Sequence, residues 1–207
     1  MPNVWILSAA VVGYLLGSLP FGYLVARAHG VDIFKEGSGN PGATNVKRVL
    51  GKKAGNTVLV LDMLKGAAAT AWPLLPMLAA PQPMVLEIIG VMAAVIGHSF
   101  SIFTKFRGGK GVATAAGGLL VLMPAAGAIA AATWLAVFFA FRYVSLASIL
   151  AAASIIIAAW LLPYHVAISV IASVIGSFVI LRHHANIKRL LNGTESKFVK
   201  KPPGEDA

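Results

Sequence analysis

Apolar residues in this chain neither alternate with polar ones nor form a helical stripe. They come in long runs at about 4–26, 54–78, 84–103, 112–141, 143–162 and 164–181, separated by short polar stretches. A run of about 17–25 apolar residues is what an α-helix needs to cross roughly 30 Å of hydrocarbon. A helix on the surface of a soluble domain carries one apolar face instead. The pattern therefore predicts an all-α integral membrane protein, a single polytopic membrane domain over 1–207 ending in a short polar tail at 197–207.

The run 112–141 is too long for one span, since a straight helix over it would measure roughly 45 Å. Pro124 and the nearby Gly127 offer a break, because proline removes a backbone donor and clashes with the preceding turn. Parity points the same way. An unbroken helix would put Arg142 and the basic C-terminal tail on the opposite side from the polar stretches 27–53 and 105–110. Splitting at Pro124 gives seven transmembrane helices, 4–26, 54–78, 84–103, 112–123, 125–141, 143–162 and 164–181, with a short or broken fourth span.

All 17 Lys and Arg then fall on one side or just inside its edge, and the opposite connections near 79–83, 124 and 163 carry none. Positive charge is retained on the cytoplasmic face, so the expectation is N-terminus outside, C-terminus cytoplasmic. Trp5, Trp72 and Trp160 fall near the outer boundary, where interfacial aromatic residues gather. The start of the chain carries no Lys or Arg side chain before Arg27, unlike the basic start of a signal peptide.

Composition changes this picture little. Charged residues make up 12% and hydrophobic ones 58%, against about 25% charged in a soluble domain. The net charge of +10 is accounted for by topology, so nucleic acid is not an expected partner. The chain has no Cys, which excludes disulfides and a cysteine nucleophile.

Three polar segments on the basic side carry candidate chemistry. Gly37-Ser38-Gly39-Asn40-Pro41-Gly42-Ala43-Thr44-Asn45, followed by Lys47 and Arg48, has the composition of an anion-binding nest, though it also reads as a turn or helix cap. Lys105-Phe106-Arg107-Gly108-Gly109-Lys110-Gly111 opens the fourth span, placing a helix N-terminus and a lysine at one point, as a phosphate site requires. It is not a Walker A loop, because Thr104 and Gly111 stand where that motif needs its first Gly and its hydroxyl residue. The third segment, Arg182-His183-His184-Ala185-Asn186-Ile187-Lys188-Arg189 and on to Glu195, is expected to continue the last helix beyond the membrane, with 182, 186 and 189 on one face. Adjacent histidines diverge by about 100° on a helix, so no metal site is expected.

Within the spans, Asp62, Lys65, Glu87 and His98 are costly in hydrocarbon and are pairing or functional candidates. Asp62 and Lys65 are spaced to pair, which favours a positioning or supporting role; an interfacial or capping place suits His98, and Glu87 falls near the outer side. Glu36 replaces the first Gly of a serine-nucleophile elbow at Ser38. The residues five after His98 and His183 are Phe103 and Lys188, so a His-x4-Asp acyltransferase motif is absent.

Taken together and in this order, Gly-Ser-Gly-Asn-Pro-Gly-Ala-Thr-Asn at 37–45, Phe-Arg-Gly-Gly-Lys-Gly-Val-Ala-Thr at 106–114, Arg-His-His-Ala-Asn-Ile-Lys-Arg-Leu at 182–190 and Gly-Thr-Glu at 193–195 resemble the bacterial acyl-phosphate:glycerol-3-phosphate acyltransferase family, PlsY. The resemblance extends over essentially the whole chain. It implies transfer of a fatty acyl group from acyl phosphate to glycerol 3-phosphate, giving lysophosphatidate and phosphate, the first acylation of phospholipid synthesis, in a bacterial cytoplasmic (inner) membrane with the active site on the cytoplasmic side. Carried onto matching positions, it has Ser38, Arg48 and Lys110 holding phosphate groups and His183 and Asn186 orienting the hydroxyl and the reacting carbonyl. Asn45, Gly108 and Gly109 follow as further phosphate contacts. No cofactor is implied, and the partners are the two substrates and membrane lipid. Read without the resemblance, the same residues fit an organic-phosphate transporter equally well, since a broken helix aimed at an anion is common there. The absence of an inverted repeat and the position of the polar segments at one surface favour the enzyme. No feature specifies an oligomeric state.

Overall fold

The structure is a computed structural model describing residues 2–198. The described residues form only helices and turns: α1 (Pro2–Ser18), α2 (Phe21–Ala28), α3 (Ala43–Ala71), α4 (Pro83–Ser99), α5 (Val112–Leu122), α6 (Pro124–Phe141), α7 (Val144–Leu161), α8 (Val166–Leu181) and α9 (His184–Leu191). Short 3-10 turns cover Trp72–Leu74, Pro76–Leu78 and Ile102–Thr104.

Four stretches are long and apolar enough to cross a membrane, α1 with α2 over Asn3–Ala28, Pro83–Thr104, α6 and α7; α8 with α9 makes a fifth if that bent pair is counted as one. The expected break at Pro124 is present. Met123 leaves helical geometry at φ −147°, and Pro124 starts α6, where its missing N–H costs nothing. The preceding α5 has 11 residues, about 16 Å of helix.

Three boundaries depart from the sequence expectation, each for a local reason. The first run is interrupted at Leu19–Pro20, where proline cannot donate to the ladder. The second leaves the α-helix after Ala71, because Pro73 and Pro76 turn the chain through 3-10 geometry. The last run does not continue straight: α8 ends at Leu181, and α9 departs from its axis by 56°. Arg182 therefore does not share a helix face with Asn186 and Arg189.

One apolar core joins α4, α5, α6, α7 and α8 through residues such as Val91, Leu119, Met123, Ile155 and Val179. A smaller one, Ile33, Val46 and Val58, lies beneath the first polar segment. Elsewhere small residues let backbones touch. A Cβ at Gly17 would fall on the backbone of Ala94, and one at Gly66 on that of Thr114. In a lipid-filled surrounding such close approach is the main attraction between helices. Trp5 stacks on Trp72 at 6.3 Å, at the end of the bundle away from the three polar segments. Of the tail, Lys197 lies over the Tyr143 ring and the Phe198 amide donates to the Arg142 carbonyl (2.8 Å), so its start is docked; Lys200 and Lys201 lie outside the described residues.

Candidate active site

The first polar segment folds into a loop that leads into α3. Asn45, 2% exposed, braces it: its Oδ1 accepts from the Ser38 amide (2.9 Å) and from Arg48 Nη1 (3.3 Å), while its Nδ2 donates to the Glu36 carbonyl (2.9 Å). Both ends of this amide are occupied, so Asn45 shapes the loop and aims Arg48. Ser38 and Arg48 are exposed to the adjoining cleft. Just beyond, Gly51 breaks the helix at φ 85°, a left-handed geometry that favours glycine.

The second segment reaches the cleft from the other side. Gly111 caps α5 at φ 83° and lets Lys110 swing inward beside the free amides of the α5 N-terminus. Lys110 Nζ donates to Asn186 Oδ1. Burial depresses the Lys110 pKa to about 8, Glu195 pulls it upward, and Arg189, Arg182 and Arg48 push it down.

The third segment turns at Arg182 and His183. Arg182 Nη2 donates to the Gly109 carbonyl (2.9 Å), tying the second and third segments together. His183 is 3% exposed, and its Nδ1 lies 2.7 Å from the Val179 carbonyl. A carbonyl only accepts, so Nδ1 carries the proton and Nε2 is left as an acceptor. Burial and the nearby Lys110 charge push the His183 pKa to about 4, against small opposing pulls from Val179 and Glu195. It is neutral at ordinary pH.

Asn186 on α9 is held at both ends as well. Lys110 can only donate to its oxygen, and its Nδ2 donates to Glu195 Oε1 (2.7 Å), which fixes the amide's orientation. Glu195 is the hub, also accepting from Ser145 Oγ (2.6 Å) and Arg189 Nε (2.6 Å). Burial raises its pKa, but the bonds from Ser145, Asn186 and Arg189 outweigh that and leave it below the ordinary carboxylate range.

Ser38, Asn45, Arg48, Lys110, His183 and Asn186 all line one cleft of about 850 Å³. Apolar side chains share its lining, among them Leu59 of α3 and Trp134 of α6, the latter's indole N–H anchored on Ser148 Oγ (3.1 Å). Cationic and neutral donors thus share one cleft with apolar side chains, an arrangement suited to an amphiphile with an anionic end.

A family model described as glycerol-3-phosphate acyltransferase matches residues 7–193. The chain is 44% identical to a glycerol-3-phosphate acyltransferase of Aquifex aeolicus over 91% of its length and 96% of that protein's. It is also 44% identical to one of Geobacillus kaustophilus, over 90% and 93% respectively. The chain belongs to the glycerol-3-phosphate acyltransferase family. Its fold matches a crystal structure described as PlsY (YgiH), an integral membrane glycerol 3-phosphate acyltransferase, in the glycerol 3-phosphate form, with TM-score 0.86 and 42% identity over 94% of this chain and 96% of that one. The lysophosphatidic acid form matches at TM-score 0.84 and 42% identity, covering 94% and 95%.

Gly108 and Gly109 of this acyltransferase stand apart from the other six positions. They line a small adjoining space with Lys65 and Arg107, and the Gly109 amide donates to the His98 carbonyl (3.1 Å), so that N–H is already engaged. Two further residues complete the site. Glu195 shows in the sequence only as a lone carboxylate closing a run of basic residues; Ser145, inside an apolar run, gives no sequence signal.

Proposed function

We propose that this acyltransferase moves a fatty acyl group from acyl phosphate directly to a hydroxyl of glycerol 3-phosphate, without an acyl-enzyme, giving 1-acylglycerol 3-phosphate and phosphate. The observation that carries the reading is the single cleft whose lining brings together Ser38, Arg48, Lys110, His183 and Asn186 with the apolar Leu59 and Trp134. The apolar lining takes the acyl chain, and the basic residues take phosphate. The hydroxyl oxygen bonds to the acyl carbon, the bond from that carbon to the phosphate oxygen breaks, and phosphate leaves. His183 Nε2 accepts the hydroxyl hydrogen bond and orients the attack. With its pKa near 4 the imidazole is a weak base, whereas phosphate groups titrate near pH 6, so the departing phosphate takes the proton. Asn186, locked by Lys110 and Glu195, aligns the carbonyl. Rate enhancement then comes from placement and charge neutralisation.

In the same reading the chain is one domain over 1–207 with seven spans, the N-terminus outside and the C-terminus cytoplasmic. Here α3 supplies the second span despite Asp62 and Lys65, and α5 a short fourth. The convergence of the three basic polar segments on one cleft supports a cytoplasmic cleft in the inner membrane. The test is a purified preparation given acyl phosphate and glycerol 3-phosphate. Stoichiometric release of phosphate and lysophosphatidate in detergent is expected. Activity seen only as flux across sealed vesicles would overturn the reading in favour of a transporter, and a trapped covalent acyl-enzyme would overturn the direct transfer.

A further inference from the structure

Behind the Lys110 loop lies a buried charged group that the transfer step leaves unused. Asp62, Lys65 and His98 are each at most 9% exposed. Lys65 Nζ lies 2.7 Å from Asp62 Oδ1 and donates to the Leu19 carbonyl (2.8 Å) at the break between α1 and α2. On the other side of the same carboxylate oxygen, at 3.6 Å, is His98 Nδ1, which has no hydrogen-bond partner among the described residues.

His98 meets the Lys110 loop twice. Its carbonyl accepts the Gly109 amide, and its ring occupies the space that a Cβ at Gly109 would need, with Nε2 the nearest atom. Asp62 and His98 also border the catalytic cleft. Ionised groups in a membrane interior are retained for function or specificity, since apolar residues pack there at lower cost.

We propose that Lys65, Asp62 and His98 are positioning residues for acyl transfer. The ion pair, anchored on the Leu19 carbonyl, fixes the imidazole, and the imidazole sets the height of Gly109 and hence the place of the Lys110 ammonium in the cleft. This rests on the reading of Lys110 as a phosphate ligand. A displacement of about 1 Å at such a group is enough to lower the rate on the order of 100-fold.

The test measures inhibition by inorganic phosphate, the reaction product, together with kcat, KM and melting temperature, in the purified full-length protein. Lys110→Ala sets the reference loss of phosphate binding. His98→Ala and Gly109→Ala should each weaken phosphate inhibition at least ~10-fold. The double variant should be no worse than either single, because one change removes the ring that the other collides with. Asp62→Asn alone strands a buried lysine and is expected to unfold the protein. Asp62→Asn combined with Lys65→Met removes both charges at similar volume, and should keep the melting temperature while losing phosphate inhibition. If Lys110→Ala leaves phosphate inhibition unchanged, the phosphate-site reading fails. If Lys110→Ala weakens it but His98→Ala and the neutral pair stay within about twofold of the parent, the positioning role fails, as it does if the His98 and Gly109 losses multiply. Should His98→Ala not fold, the neutral pair decides.

Discussion

The α1–α4 contact and the cleft are held together by opposite means. Along α1 and α4 the helices meet backbone to backbone: a Cβ at Gly13 would press on Gly90, and one at Gly17 on Ala94. At the cleft, polar side chains make the joins: Asn45 closes the first loop onto α3, Lys110 of the loop before α5 meets Asn186 of α9, and Glu195, just past α9, is tied to Ser145 of α7. In hydrocarbon, apolar surface gains nothing by leaving one apolar neighbour for another, so helices are held by fit. A contact made by fit fails when volume is added. A contact made by charge-assisted hydrogen bonds fails when an atom changes its charge or its bonding.

Adding volume should give the largest effect. Gly17→Leu drives a side chain into the α4 backbone and is expected to cost more than ~3 kcal/mol, the upper range of core overpacking. The readout is loss of a single folded species on size exclusion and in thermal melting. Removing charge from the cleft should leave the fold and abolish function. Arg48→Ala and Lys110→Ala are each expected to cut kcat/KM at least ~100-fold, the scale of one lost preorganised donor, with melting temperatures near the parent's. Near-normal turnover in both would remove the assignment.

Glu195→Gln keeps the volume and removes the charge shared by Ser145, Asn186 and Arg189. One charge-assisted bond of about 1.5–3 kcal/mol corresponds to a loss of at least ~10-fold in kcat/KM, measured with both substrates varied. The folded Glu195 carboxyl lies below its ordinary range. Its stabilisation is therefore full above that range and is lost as pH falls through the folded value, so the Gln variant should melt with a flatter acid-side pH dependence.

A pH profile sharpens the contrast further. Lys110 carries its charge below about pH 8 and sheds it above, so kcat/KM should fall as pH rises through about 8. Lys110→Arg, which stays charged throughout, should lose that limb whatever its absolute rate. The smallest effect is expected at Lys53, basic but exposed and outside the cleft: Lys53→Ala should change kcat/KM by no more than about twofold, the scale of an ordinary surface substitution.

Much of this was legible in the sequence because bilayer physics leaves few options. A run of apolar residues that must satisfy its own backbone becomes a helix, and Pro124 marked a break because its missing donor is a local property. The polar segments could be picked out because Gly, Asn and Lys are conspicuous against apolar runs. The kink at Gly51 and the bend between α8 and α9 were not visible: both depend on where the next segment must go. The role of Glu195 as a hub is not legible in the sequence, because its partners Ser145 and Asn186 come from separate helices and chain distance does not encode that meeting.

By itself, then, the sequence determined the helical class, the confinement of most basic residues to a few polar stretches, and eight candidate site residues, of which six share one cleft, since each follows from hydropathy, charge or a short motif. The tertiary structure alone decided which of the eight share the cleft and which are used up as braces. Both ends of the Asn45 amide and the Gly109 N–H are engaged within the protein, whereas Ser38 and Arg48, though Arg48 keeps one bond to Asn45, are exposed to the cleft and His183 keeps Nε2 as an acceptor. It also decided that Asp62, Lys65 and His98 sit behind Lys110. A buried polar atom's role depends on which partner reaches it first, and that is settled only when the helices pack.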